Sequence, residues 1–149
     1  YLINRLHSRE LALATGKLMM VELNFENQSR FAMFRPNHQH GDTLVSRLQQ
    51  HIEDDYQQEL ELSQFAHNNG IGERQLARRF KKSTGETPLS YLQRFRVEQV
   101  KIALESSRTP ANNLIWQVGY EDPTSFRRLF KRFTGLTMLE YRKRFSIQV

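Results

Sequence analysis

One block of this sequence is written twice, fifty residues apart, and each copy specifies a helix, its stop and the start of the next helix. Glu73-Arg74-Gln75-Leu76-Ala77-Arg78-Arg79-Phe80-Lys81-Lys82-Ser83-Thr84-Gly85 leads through Glu86-Thr87-Pro88 to Tyr91. Pro123-Thr124-Ser125-Phe126-Arg127-Arg128-Leu129-Phe130-Lys131-Arg132-Phe133-Thr134-Gly135 leads through Leu136-Thr137-Met138 to Tyr141. Identical pairs at this offset include Arg78/Arg128, Phe80/Phe130, Lys81/Lys131, Thr84/Thr134, Gly85/Gly135, Thr87/Thr137, Tyr91/Tyr141, Arg94/Arg144 and Phe95/Phe145. Such duplication restricts the chain to two copies of one helical device.

The flanking residues complete each copy. Asp42 or Thr43 caps a helix that runs through Tyr56, with Leu44, Val45, Leu48 and Ile52 on its inner face. Ser63 reads as the cap of a short second helix that Asn69-Gly70 stops, and Glu73 to Ser83 forms the third. In the second copy Asn112 or Asn113 opens a helix to Val118, Gly119-Tyr120 turns, and Pro123 takes a first-turn position. Gly119 to Phe126 is one residue longer than Gly70 to Leu76, so the two turns should differ there. Between the copies, Pro88 to Ser106 carries Leu89, Leu92, Val97, Val100 and Leu104 at helical spacing. As a helix of 19 residues it would be about 28 Å long. Helix, glycine turn and basic helix, given twice, predict an all-α fold with two helix-turn-helix subdomains on a long linker helix.

Charge follows the same division. Residues 1–62 hold six Lys/Arg against nine Asp/Glu, a balance of −3, and residues 63–149 hold sixteen against seven, a balance of +9. A basic field of this kind attracts polyanions. A recognition helix buries one face and turns the other to base edges. That outward face is Arg74, Gln75, Ala77, Arg78 and Lys81 in the first copy, and Thr124, Ser125, Arg127, Arg128 and Lys131 in the second. Residues near the helix start enter a groove deepest, so base reading is assigned to Arg74, Gln75, Ala77, Arg78, Thr124, Ser125, Arg127 and Arg128. Lys81, Lys82, Lys131 and Arg132 lie further along and are assigned to phosphates, which set register without reading sequence. Phe80, Phe126, Phe130 and Phe133 fall on the opposite face and are assigned to the core rather than to base stacking.

Other chemistry finds little support. With no cysteine, thiolate zinc sites and cysteine nucleophiles are excluded, and a reducing cytoplasm is a compatible location. His38, His40 and His51 read as solvated or locally packed rather than as metal ligands, so no metal or cofactor is expected. No nucleophile elbow, phosphate loop or zincin motif occurs, which argues against an enzyme. No apolar run is long enough for a membrane span.

The first third reads differently. The chain begins without Met, and Ser8 to Glu22 carries Leu11, Ala14, Leu18 and Val21 on one helical stripe, as if ending an upstream domain. Phe31 to Gly41, with Pro36, reads as a linker. The expected domains are 1–35 as that tail, 36–42 as linker and 43–149 as the basic domain. Within the last, a first unit spans 43–87, the linker helix 88–106 and a second unit 109–145.

These motifs resemble a known family. Residues 43–145 are similar to the DNA-binding domain of AraC/XylS-type bacterial transcription regulators, on Glu73-Arg74-Gln75-Leu76-x-Arg78-x-Phe80-Lys81, Thr84-Gly85-x-Thr87-Pro88-x-x-Tyr91, Trp116-Gln117-Val118-Gly119-Tyr120-Glu121-Asp122-Pro123 with Phe126-Arg127-Arg128-Leu129-Phe130, and Tyr141-Arg142. Leu2-Ile3 through Phe31 resembles the tail of the PfpI-like, glutamine-amidotransferase-like sensor domain of the GlxA-type branch. The resemblance implies double-stranded DNA as partner and Arg74, Ala77, Arg78, Thr124, Arg127 and Arg128 at its surface. It also raises RNA polymerase as a protein partner, an effector of the upstream domain and a homodimer formed through that domain. The chain departs from the family pattern at Gly72, Ile115 and Met138, and at Val100 with Ala103, which read as a volume exchange that Ala103→Leu would overpack. The competing readings are a protein-interaction module with degenerate helix-turn-helix units and a fragment of an amidotransferase-like hydrolase.

Overall fold

The computed structural model describes Phe34 and residues 36–147, so the amphipathic stretch Ser8 to Glu22 lies outside the described residues. Seven helices follow in order: α1 Thr43–Asp54, α2 Leu62–Asn68, α3 Glu73–Thr84, α4 Pro88–Ser106, α5 Ala111–Gln117, α6 Pro123–Thr134 and α7 Met138–Phe145. There is no strand among the described residues, and the chain is all-α with two helix-turn-helix units.

Each repeated residue has a local duty. The Thr84 hydroxyl donates to the Phe80 carbonyl at 2.8 Å and accepts the Glu86 amide at 3.3 Å, closing the end of α3. Thr134 does the same at the end of α6, with Phe130 at 2.8 Å and Leu136 at 3.2 Å. Gly85 and Gly135 then take left-handed backbone, φ 85° and 76°, which a side chain would disfavour. Thr87 and Thr137 cap α4 and α7 by accepting the amides of Ser90 and Glu140. Tyr91 stands edge-on to Phe80 at 5.4 Å, and Tyr141 edge-on to Phe130 at 5.6 Å.

The tyrosines expose a second repeat. Tyr91 donates its hydroxyl to Glu53 at 2.9 Å, and Tyr141 donates to Glu105. Glu53 ends a run Val45, Leu48, Ile52 on α1; fifty-two residues on, Glu105 ends a run Val97, Val100, Leu104 on α4. All six apolar members are buried. The second half of α4 therefore plays for α5 and α6 the part that α1 plays for α2 and α3, and the linker helix belongs to both units. Fully burying such a side chain is worth about 1.5–3 kcal/mol, so these runs hold each unit to the rod.

Several helix ends differ from the sequence expectation. α1 stops at Asp54, where the amide of Asp55 closes on His51, rather than at Tyr56. Ser63 is not the cap of α2: the Phe65 amide already bonds the Glu61 carbonyl at 3.1 Å, so the ladder starts two residues earlier, without a side-chain cap. Likewise α5 opens at Ala111, because the Pro110 carbonyl accepts the amides of Asn113 and Leu114. Met138, at the first position of α7, is buried and so contributes to the core of the second unit. Val100 is buried and Ala103 half-buried, and both border one open groove with Tyr56, Leu114 and Val118, so there is room beside Ala103 where an exchange of volumes would have a filled core.

Before α1 the backbone is tied down. Phe34 lies edge-on to Tyr91 at 5.3 Å. The rings of His38 and His40 meet Glu53 at 3.1 Å and Gln49 at 2.8 Å, so both are locally packed.

Candidate nucleic-acid interface

The two basic helices present the same stripe. On α3, Leu76 and Phe80 are buried while Arg74, Gln75, Arg78, Lys81 and Lys82 are exposed and Ala77 is half-buried. On α6, Phe126, Leu129 and Phe130 are buried while Thr124, Ser125, Arg127, Arg128, Lys131 and Arg132 are exposed. Positions 74, 77, 78 and 81, and 124, 127, 128 and 131, each follow the i, i+3, i+4, i+7 spacing that gathers side chains on one face. The guanidinium and ammonium groups stand clear of the core while the phenylalanines anchor the helix behind them.

The two starts are engineered differently by the sequence. α3 is preceded at its cap position by Gly72, which has no side chain to accept an amide. Five residues, 118–122, separate α5 from α6, against the four, 69–72, between α2 and α3. The extra residue brings in Asp122, which accepts the Thr124 amide at 3.1 Å and the Ser125 hydroxyl at 2.6 Å. Those hydrogen bonds, Ser125 foremost, hold the Asp122 carboxyl below the usual carboxylate range. Ser125 thus spends its hydroxyl proton on the helix start, which leaves the exposed oxygen able only to accept.

Arg127 is preset. Its guanidinium donates to the Asn112 side chain on α5, a contact between helices that the sequence reading did not foresee. Arg79, one residue beyond the outward stripe, makes a forked contact with Asp42 at 2.8 and 2.9 Å and joins α3 to the cap of α1. That pairing lowers the Asp42 carboxyl, chiefly through the Arg79 hydrogen bond. Arg74, Arg78, Arg128, Lys81, Lys82 and Lys131 make no hydrogen bond or ion pair among the described residues that fixes their heads.

Phe133 departs from expectation. It is half-buried, with Arg94 over its ring at 5.4 Å and Arg132 at 5.8 Å, so it lies at the border of the core rather than within it. Leu89 and Leu139 are a further identical pair of the fifty-residue repeat, and both are exposed, at 58% and 74%. Leu139 and Met138 line a cleft with Arg127, Arg128 and Lys131 on the basic face. The helical spacing groups Leu89 with Leu92, Val97, Val100 and Leu104, and the structure corrects this by leaving Leu89 exposed at the first turn of α4 while the other four are buried.

Among the described residues no group of three or more His, Asp or Glu is placed to hold a metal ion, and no helix is long and apolar enough to cross a membrane.

Comparison with known proteins agrees with this geometry. A family model described as a helix-turn-helix domain matches residues 65–144. The transcriptional activator RhaR of Yersinia pseudotuberculosis is 28% identical over 129 residues, covering 87% of this chain and 43% of RhaR. YisR of Bacillus subtilis, an HTH-type transcriptional regulator, is 40% identical over 65 residues, 44% of this chain and 23% of its own. The chain therefore spans less than half the length of these relatives. Among solved structures, the C-terminal domain of the response regulator AraT from Geobacillus stearothermophilus superimposes with a TM-score of 0.67 at 26% identity, covering 72% of this chain and 89% of that one. The DNA-binding domain of AdpA, solved with a target DNA, shares the fold with a TM-score of 0.63 at 23% identity, covering 69% and 93% of the two chains.

Proposed function

Because the chain belongs to the AraC-type family of helix-turn-helix proteins, we propose that α3 and α6 enter adjacent major-groove segments of double-stranded DNA and that the protein regulates transcription through that contact. The observation that carries this reading is the duplicated exposed stripe, Arg74/Ala77/Arg78/Lys81 and Thr124/Arg127/Arg128/Lys131, backed in each helix by buried aromatic rings. Arginine suits base reading because its fork meets guanine O6 and N7 together. Arg78, Arg127 and Arg128 read bases with Arg74, Gln75, Ala77, Thr124 and Ser125 beside them, and Lys81, Lys82, Lys131 and Arg132 hold phosphates. α4, 19 residues long and so about 28 Å, is close to the ~34 Å between successive major-groove faces on one side of B-DNA.

Residues 1–35 fit the tail of a PfpI-like sensor domain on sequence resemblance, and with them an upstream effector site and dimer contact, RNA polymerase as partner and a bacterial cytoplasmic setting. Selection of bound sites from random duplexes with the purified chain tests the central reading. Two preferred segments about 10 bp apart are expected, and enrichment of a single segment would defeat the two-reader geometry.

A further inference from the structure

Arg96 leaves the middle of the linker helix, is buried, and forms no ion pair among the described residues. Its Nε donates to the Tyr56 carbonyl at 2.6 Å and its Nη2 to the Gln58 carbonyl at 2.8 Å, both in the loop after α1. The same guanidinium lies 5.2 Å from the ring centre of Tyr120, in the turn that precedes α6. Directly beside it, the backbones of the two units approach each other: a Cβ built on Gly119 would stand 2.2 Å from the Gln57 carbonyl oxygen and 3.1 Å from Arg96 Nη2. Gly70, the matching turn glycine of the first unit, has nothing within 4 Å of such a Cβ. The close approach is thus specific to the seam between the units, and not a general demand of the turn.

A second arginine acts from the other side of the rod. Arg94 is two residues away, which at 3.6 residues per turn places it about 200° around the helix. Its guanidinium lies over Phe34 at 5.6 Å and over Phe133, at the end of α6, at 5.4 Å, while its Nε meets Glu86 at 3.2 Å. One side of α4 thus ties the loop after α1 to the turn before α6. The opposite side ties the segment before α1 to the end of α6.

We propose that Arg96, with Gly119 and Tyr120, is a positioning element that fixes the angle between the two reading helices and so makes the protein selective for the distance between its two DNA segments. The physical reason is geometric. A two-reader protein discriminates spacing only if the readers cannot adjust independently, and α4 alone, a single helix between two small units, leaves each free to rock about its contacts. Two carbonyls gripped by one planar guanidinium, against a glycine backbone that admits no Cβ, remove that freedom. Neither Arg96 nor Gly119 needs to touch DNA for this. The proposal rests on the two-reader function in its DNA arm and is independent of it in its distance arm.

The chain has no cysteine, so Gln64→Cys and Asn113→Cys, both exposed and off the basic stripes, take spin labels without interference. Pulsed dipolar spectroscopy on the full chain without DNA should give one narrow distance distribution, broadened at least twofold by Arg96→Lys or by Tyr120→Leu at unchanged helical circular dichroism. In the DNA arm, inserting 1 or 2 bp between the selected segments should weaken parent binding at least tenfold and Arg96→Lys binding less than threefold, with the uninserted site bound within a few-fold of the parent. Unaltered distance widths in both folded variants, or an unchanged insertion penalty, overturn the brace. Absence of sequence-specific binding by the parent overturns the two-reader reading instead, while the distance arm still decides on Arg96. Should Arg96→Lys melt, Tyr120→Leu carries the decision, since it removes the ring and leaves both gripped carbonyls in place.

Discussion

Arg78 and Arg127 occupy stripes of equal rank, yet their surroundings differ. Among the described residues none sets the head of Arg78, whereas Arg127 is held by Asn112 on the neighbouring helix. A preset guanidinium loses less freedom when it meets a base than a free one. Replacing Arg78 or Arg127 by Ala should cost about 1–3 kcal/mol on the selected site and relax preference only in the segment that residue reads. Asn112→Ala keeps every positive charge and should relax the same segment as Arg127→Ala, by a smaller amount. Competition titrations with singly substituted sites check all three, and an Asn112→Ala protein with unaltered base preference would make the contact incidental. The stripes themselves were legible because a 3.6-residue period and a duplicated block leave few ways to divide a helix into faces. Asn112 was not, since it lies fifteen residues from Arg127 and only the packing of α5 on α6 joins them.

The elements show the same limit in another form. Thr84, Gly85 and Thr87, and their copies, act within a few residues of themselves, so sequence located the stops of α3 and α6 and the start of α4 closely. Ser63 and Asn112 misled because a capping side chain is only one way to satisfy a helix start, and carbonyls of Glu61 and Pro110 served instead. The dual membership of α4 was hidden because Val97, Val100 and Leu104 repeat α1 at an offset of fifty-two rather than fifty. Caps that do exist have a pH consequence. Asp42 and Asp122 are both held below the usual carboxylate value, so their contribution is complete above the unfolded value of about 4 and is lost as pH falls through the lower folded values. Thermal melts through that acid range should show α1 and α6 loosening together. Asp42→Ala should cost about 1 kcal/mol at neutral pH and flatten part of the acid dependence; an unchanged profile would place the sensitive group elsewhere. Ala103→Leu, facing the open groove beside Leu114 and Val118, should change stability by under about 1 kcal/mol, well short of the 1–3 kcal/mol of an overpacked core.

For the whole molecule the deciding quantity is how positive charge is divided between reading and holding. The basic balance of residues 63–149, +9 from sixteen cations and seven anions, exceeds what the two stripes use. Part of it is engaged by the protein's own groups: Arg79 is paired with Asp42, which lies outside that stretch, Arg96 grips carbonyls, and Arg142 donates to the Thr109 carbonyl at 2.6 Å. Composition counts those cations toward a polyanion surface, and only the fold withdraws them from it. The electrostatic footprint is therefore smaller than the sequence suggests, and salt measures it. Each phosphate neutralised on duplex DNA contributes about −0.9 to the slope of log affinity against log salt. Lys81→Ala with Lys131→Ala should reduce the magnitude of that slope by about 2 and weaken selected and random duplexes alike. Arg79→Ala and Arg142→Ala, whose heads are already engaged by Asp42 and by the Thr109 carbonyl, should leave the slope unchanged while lowering the melting temperature. A slope that moved with Arg79 or Arg142 and ignored Lys81 and Lys131 would put the phosphate surface on a different face of the molecule, away from α3 and α6.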